Sequence, residues 1–154
     1  LSTSNIAALE TRDLVVISTN AIAVLNSAQV KALTTDQVKS LTTDQMSGLT
    51  ATQIKAIEPG DLAVLSTLQV SKLNDEQFKA ITTAGIAALT TEQVHNLTTV
   101  QMGAMTTAQV RALEVGDVSH LTTEQVSHMT VESAAAFTTT QLAAMPGLIS
   151  SLPT

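Results

Sequence analysis

The sequence predicts an all-α solenoid, a superhelical coil of short helices with one helix for every eight residues. Three observations predict it. An apolar residue returns every eight positions, helix-start signals recur at the same spacing, and charges keep a fixed polarity within each eight-residue unit. We call each unit an octad and number its positions from the leucine-like residue that begins it.

The apolar pattern fits short helices better than either regular alternative. Position 1 is Leu, Ile, Met or Phe from Leu1 to Met145, and position 6 is apolar in nearly every octad. In one continuous helix, a step of eight residues overshoots two turns by about 80°, so the apolar stripe would spiral around the rod. In a strand, positions 1 and 6 would point to opposite faces. We therefore expect both positions to face inward from separate helices.

Polar residues mark the start of a helix in each octad. Position 2 is usually Thr, Ser or Asn and position 5 is usually Gln, as in Thr34 and Gln37, which forms the capping-box pattern. Positions 1 and 6 then correspond to the hydrophobic staple around that cap. All acidic residues lie at positions 2 to 5, and every basic residue except Arg12 lies at position 7 or 8. The helix dipole favours this polarity, so each octad is expected to hold its own helix.

Helices of about six residues are unstable alone and must stack on their neighbours, as in a solenoid. Alanine and lysine return every 24 residues, as in Lys31, Lys55 and Lys79, which indicates three octads per turn. The space that leucine needs inside the coil favours four. We therefore expect three to four octads per turn.

The octad phase sets the domain limits. It holds from residue 1 to 144, which gives an octapeptide-repeat solenoid of 18 repeats, followed by a C-terminal cap or frayed end at 145–154. In that end, Pro146 takes the N-cap position and Ser150 takes an apolar position. The repeat is already in phase at Leu1, so we expect a piece cut from a longer array or an engineered fragment.

Composition excludes several classes of function. The net charge of −6 argues against binding to nucleic acid, which needs clustered Lys and Arg. The absence of Cys excludes disulfides and thiolate metal sites. No apolar run approaches the roughly 20 residues of a membrane span, so membrane insertion is not expected. No nucleophile elbow, phosphate loop or zinc-helix motif is present, so we expect no enzyme activity and no cofactor.

Three octads replace the capping-box residues with a Glu-x-x-Asp pair, and these are the candidate metal ligands. A calcium or other cation site is one interpretation of the pairs. The other, which we prefer, is structural: carboxylates at a helix N-terminus accept backbone amides or meet a cation from the next layer. The candidate residues are Glu10, Asp13, Glu58, Asp61, Glu114 and Asp117.

Histidine and threonine offer two further hypotheses. His120 and His128 share position 8 in successive octads, but a zinc site would need a third ligand that the sequence does not supply. His95, at position 7, is expected to be exposed. Threonines at position 3 would form rows in stacked turns, and such rows could bind ice or ordered water. We prefer a simpler explanation, which is that threonine is hydrophilic and is tolerated at the first position of a helix. These threonines include Thr35, Thr43, Thr83, Thr91 and Thr99.

Two resemblances bear on function. "LTTEQVHNL" and "LTTEQVSHM" look like the start of TAL-effector DNA-binding repeats, but the likeness covers one helix start and lacks the base-reading loop. Runs such as "ALTTDQVKSLTTDQM", with "LETRDL", "IEPGDL" and "LEVGDV" between them, resemble octapeptide tracts of large repetitive bacterial proteins throughout 1–144. The second resemblance implies a secreted or cell-surface, adhesin-like context and carries over no functional residues.

These patterns favour a structural or interaction module, a solenoid spacer or scaffold of a larger bacterial protein, outside the cell or at its surface. Stacked repeats offer extended surfaces for a protein partner. Self-association through such a surface is compatible with this function. The alternative is a ligand-binding module that uses the acidic pairs for calcium or the threonine rows for ice.

Overall fold

The computed structural model describes residues 2–154 and confirms the all-α solenoid. Within that range there are eighteen α-helices of four to six residues, one terminal 3₁₀ helix, Pro146–Ser151, and no strand. Each α-helix occupies one octad. The chain enters a helix through an extended N-cap residue such as Thr34 (φ −74°, ψ 159°), and it leaves through the extended Leu41 (φ −55°, ψ 133°). Every α-helix begins after an extended N-cap residue of this kind, which keeps successive helices from merging.

The helices form three stacks, because each helix contacts the helices three places before and after it. The first stack contains α1 (Thr3–Ala7), α4 (Ser27–Lys31), α7 (Ala51–Ala56), α10 (Asp75–Ala80), α13 (Thr99–Ala104) and α16 (Thr123–Ser127). The second contains α2 (Thr11–Leu14), α5 (Thr35–Ser40), α8 (Pro59–Ala63), α11 (Thr83–Ala87), α14 (Thr107–Ala112) and α17 (Val131–Ala134). The third contains α3 (Thr19–Ala23), α6 (Thr43–Gly48), α9 (Thr67–Ser71), α12 (Thr91–His95), α15 (Val115–Val118) and α18 (Thr139–Ala144).

One turn of the coil therefore comprises three helices, which we call a layer. The four-sided alternative is not adopted. The three-sided coil encloses a core to which each octad contributes positions 1 and 6. Position 6 residues such as Ile86 and Val94 are fully buried, and position 1 residues such as Leu89 are nearly so. The terminal 3₁₀ helix contacts α16 and α18, and Met145, its N-cap residue, is buried.

The position 5 glutamines are buried and connect the layers. In α12, Gln93 Oε1 accepts from the backbone N–H of Thr90, which completes the capping box. Its Nε2 donates to the carbonyl oxygens of Leu62 and Leu65, in the layer before. One side chain thus satisfies the start of its own helix and carbonyls near the end of another, groups that a short helix cannot satisfy internally.

This arrangement repeats along the coil and forms what we call the glutamine ladder. Ten glutamines donate to carbonyls located 28 to 31 residues earlier in the chain, over distances of 2.6–3.4 Å. They are Gln37, Gln45, Gln53, Gln69, Gln77, Gln93, Gln101, Gln109, Gln125 and Gln141. All ten are at most 5 % exposed. The capping-box interpretation of the sequence assigned these residues to helix starts only and missed their buried amide donors.

Candidate functional site

The structure gives two of the Glu-x-x-Asp pairs a contact different from the one expected. Asp61 accepts a hydrogen bond from the hydroxyl of Thr35, 2.8 Å away in the preceding layer of the second stack. Asp117 accepts one from Thr91 in the third stack in the same way, and it is only 7 % exposed. The N-cap residues Glu58 and Glu114 make no side-chain cap bond. The contact that holds each of these aspartates is therefore a threonine hydroxyl of the layer before.

The first pair lies in a different environment. Arg12 Nε lies 2.8 Å from Glu10 Oε2 and 3.8 Å from Asp13 Oδ1, and all three side chains are more than half exposed. Exposed ion pairs of this kind contribute little to stability. The structure therefore places Glu10 and Asp13 on the surface beside their own arginine.

The structure does not bring the three pairs together. α2 and α8 lie two layers apart in the second stack, whereas α15 belongs to the third stack. Among residues 2–154 no group of three or more His, Asp or Glu side chains is arranged to hold a metal ion. Calcium prefers six to eight oxygen ligands, and a single pair offers fewer.

An aspartate at position 5 also leaves a gap in the glutamine ladder. By the spacing of the other octads, a glutamine in place of Asp61 would reach the carbonyls of Val30 and Leu33. An ionised aspartate has no proton to donate to them. The Thr35–Asp61 hydrogen bond is thus a different and less buried link between the same two layers.

The three histidines bond backbone carbonyls. His95 Nδ1 lies 2.7 Å from the carbonyl oxygen of His120 in the next layer. The Nδ1 atoms of His120 and His128 lie within 2.9 Å of the Gly116 and Glu124 carbonyls of their own helices. Each Nδ1 faces a carbonyl oxygen, which can only accept a hydrogen bond. The tautomer that carries its proton on Nδ1 is therefore favoured. His95 is exposed, as expected, while His120 and His128 lie in different stacks.

The threonine rows are interrupted at the acidic octads. In the second stack, Pro59 takes position 3 between Thr35 and Thr83, and in the third stack Val115 follows Thr91. The hydroxyls of Thr35 and Thr91 bond the aspartates described above. A regular lattice of free threonine hydroxyls is therefore broken in both stacks.

The edge between the first and second stacks carries the most distinctive charge pattern. Lys31 and Lys55 lie in the last turns of α4 and α7 in the first stack. Glu58 is the N-cap residue of α8 in the second stack, across the edge between the two stacks. One open groove is lined by both lysines and Glu58, together with Pro59 and Thr82. In residues 2–154, ion pairs form only at Arg12, so these lysines have no carboxylate within ion-pair distance.

A known family of repeats matches much of the chain. The sequence model of the ALTTAQ repeat matches residues 6–43, 54–91 and 86–115, which together amount to about two thirds of the chain. No curated protein matches the chain. Within residues 2–154, no helix has the length and apolar character needed to cross a membrane.

Proposed function

This chain belongs to the ALTTAQ repeat family, and from that premise we propose that it is a stiff spacer or scaffold within a larger bacterial protein. Under this proposal the chain holds other parts of the protein apart and binds partners, and it has no catalytic role. Placement outside the cell or at its surface is part of this proposal, and it draws on the likeness of the octads to tracts in large repetitive bacterial proteins. A protein partner would bind along the layered outer surface.

The glutamine ladder carries the proposal, even though it is interrupted where position 5 is not glutamine, as at Asp61 and Gly85. Every stack contains ladder glutamines, from Gln37 in α5 to Gln141 in α18. Each one ties its own helix start to a backbone carbonyl of the layer before. Because these bonds are buried, water competes poorly for them. A bend between layers would separate donors from acceptors along one side, so the ladder stiffens the coil against bending.

The dimensions of such a spacer follow from helix packing. Stacked helices lie about 8–10 Å apart, so six layers extend roughly 50–60 Å. The length should grow by one layer for every 24 residues, because a layer comprises three octads. This is a slow growth per residue compared with an extended chain, and it gives a short, thick rod.

Small-angle X-ray scattering tests the proposal on a lengthened chain. A second copy of residues 89–112 inserted after Ala112 keeps every helix in its stack. The maximum dimension should rise by about 8–10 Å while the cross-sectional radius stays constant. The unmodified chain is the control. A wider cross-section without added length would contradict a spacer built by stacking.

The ligand-binding alternative has less support from the contacts. The Asp61 and Asp117 carboxylates each accept from a threonine, and the threonine rows are interrupted at the same octads. Thermal melting with and without calcium, together with an ice-recrystallisation assay, separates this alternative from the spacer. A strong positive result in either assay would move ligand binding to first place.

A further inference from the structure

Three lysines form a row in successive layers of the first stack. Lys31, Lys55 and Lys79 lie in the last turns of α4, α7 and α10, and all three are exposed. Stacked helices set their spacing at about 8–10 Å. No carboxylate in residues 2–154 lies within ion-pair distance of any of them. We call this set the lysine row.

Carboxylates form a second row across the same corner. They lie at the starts of α2, α5 and α8, in three successive layers of the second stack. Lys55 and Glu58 line one groove, which shows that the two rows flank a single edge. We call the second set the acidic row, and it comprises Glu10, Asp13, Asp36, Glu58 and Asp61.

We propose that this edge binds a second copy of the chain, side by side and parallel, with each lysine row facing the acidic row of the other copy. A two-fold axis parallel to the coil axis relates the two copies. It sets the lysine side of one edge against the acidic side of the other, and equivalent layers lie at the same height. Lys31 then faces Asp36 of the second copy, and Lys55 faces Glu58. An antiparallel pair would instead place lysine row against lysine row.

A second copy fits the edge better than another charged partner. Both rows repeat with the same layer spacing, so a copy of this coil matches the charges in two layers, that of Lys31 and Asp36 and that of Lys55 and Glu58. Lys79 lies one layer beyond the end of the acidic row. The net charge of −6 repels polyanions such as nucleic acid, and it also repels a second copy, so only the local charge pattern of the edge favours association. Self-complementarity of one patch is the defining property of a two-fold interface. Exposed charges give specificity and salt dependence more than affinity, so the dimer is expected to be weak.

This inference deepens the proposed scaffold function by naming a partner, and it is tested separately from it. The length measured by scattering on monomers at high salt is independent of whether copies associate. Failure of the dimer would leave the stacking result untouched, and failure of the stacking result would not alter the association measurement.

Sedimentation equilibrium on the whole chain tests the interface. The parent should dimerise at about 20 mM NaCl, and the dimer should weaken at least about tenfold at about 500 mM NaCl, where screening is much stronger. Lys31→Glu with Lys55→Glu and Lys79→Glu should abolish the dimer. Asp36→Lys with Glu58→Lys should also abolish it. Mixing the two reversed variants should restore association as a heterodimer.

A matched control separates the edge from general charge repulsion. Lys39→Glu with Lys72→Glu and Arg111→Glu changes the net charge equally but lies at the other two edges, so it should retain the dimer. If the reversed lysine row prevents folding, as judged by circular dichroism, Lys31→Gln with Lys55→Gln and Lys79→Gln replaces it. A parent that stays monomeric at low salt, an association insensitive to salt, equal loss in the control, or no heterodimer on mixing would each overturn the proposal.

Discussion

The side-chain nitrogen of Gln93 lies 2.7 Å from the carbonyl oxygen of Leu65, one layer earlier in the coil. The two residues are 28 positions apart in sequence and both are buried. The same amide group also donates to Leu62, while its oxygen accepts from Thr90. This one side chain therefore links helix initiation with contact between layers.

Gln93→Glu should destabilise the protein by about 2–4 kcal/mol, because two buried carbonyls lose their donor and face a carboxylate instead. The shape is nearly unchanged, so packing alone would predict little effect. Urea denaturation at neutral pH gives the free energy of unfolding. The loss should shrink at acidic pH, where a protonated glutamate regains one donor. A cost smaller than that of Thr90→Ala would show that the amide donors contribute little.

Leu89→Ala and Thr90→Ala test the division between inside and outside at adjacent residues. Leu89 is 4 % exposed, and its truncation leaves a cavity that should cost about 2–5 kcal/mol. Thr90 caps α12 through its hydroxyl, and its loss should cost about 1 kcal/mol. Chemical denaturation of the two variants side by side measures both. If Thr90→Ala were the worse, the assignment of the core positions would be wrong.

Glu58→Thr combined with Asp61→Gln should leave the melting temperature unchanged or raise it. The new pair completes a capping box, and the introduced glutamine side chain would reach the carbonyls of Val30 and Leu33. The Thr35–Asp61 hydrogen bond is lost in exchange, and it lies at an exposed site. Melting curves by circular dichroism provide the comparison.

Calcium at millimolar concentration serves as the control for that experiment, and it should have little effect on either protein. One Glu-x-x-Asp pair supplies too few oxygens for a tight site, and the pairs do not meet. A rise of many degrees with calcium in the parent, abolished by the double change, would instead support cation binding at Glu58 and Asp61.

Deletion of one octad, residues 90–97, should leave a folded protein that is slightly less stable. Every ladder glutamine except Gln69 donates to carbonyls at position 6 and position 1 of earlier octads, and any octad supplies those two positions. Later helices move to a different stack without losing their contacts. Deleting only residues 90–93 should be far more damaging, because cap residues then enter the core. Equal damage in thermal melts would argue against the octad as the structural unit.

Local signals in the sequence determined the helices and their orientation. Capping residues such as Thr34 and Gln37 lie three positions apart, and the apolar positions 1 and 6 fall within one short helix and its flanking residue, so neighbouring residues suffice to define each unit. The burial of Leu89 and Val94 followed from the same octad pattern. The glutamines themselves were visible in the sequence, but only as capping residues.

Contacts between layers were decided by the tertiary structure alone. The sequence left three or four octads per turn open, and that number determines which residues lie above one another. Only the three-stack coil places Gln93 against Leu65 and Thr91 against Asp117. It also sets Lys31, Lys55 and Lys79 above one another in a single row. These partners lie far apart in the chain or on different helices, and they meet because of how the coil closes. The eight-residue pattern specifies every helix alike, and only the weaker 24-residue recurrence of alanine and lysine indicated where each turn ends.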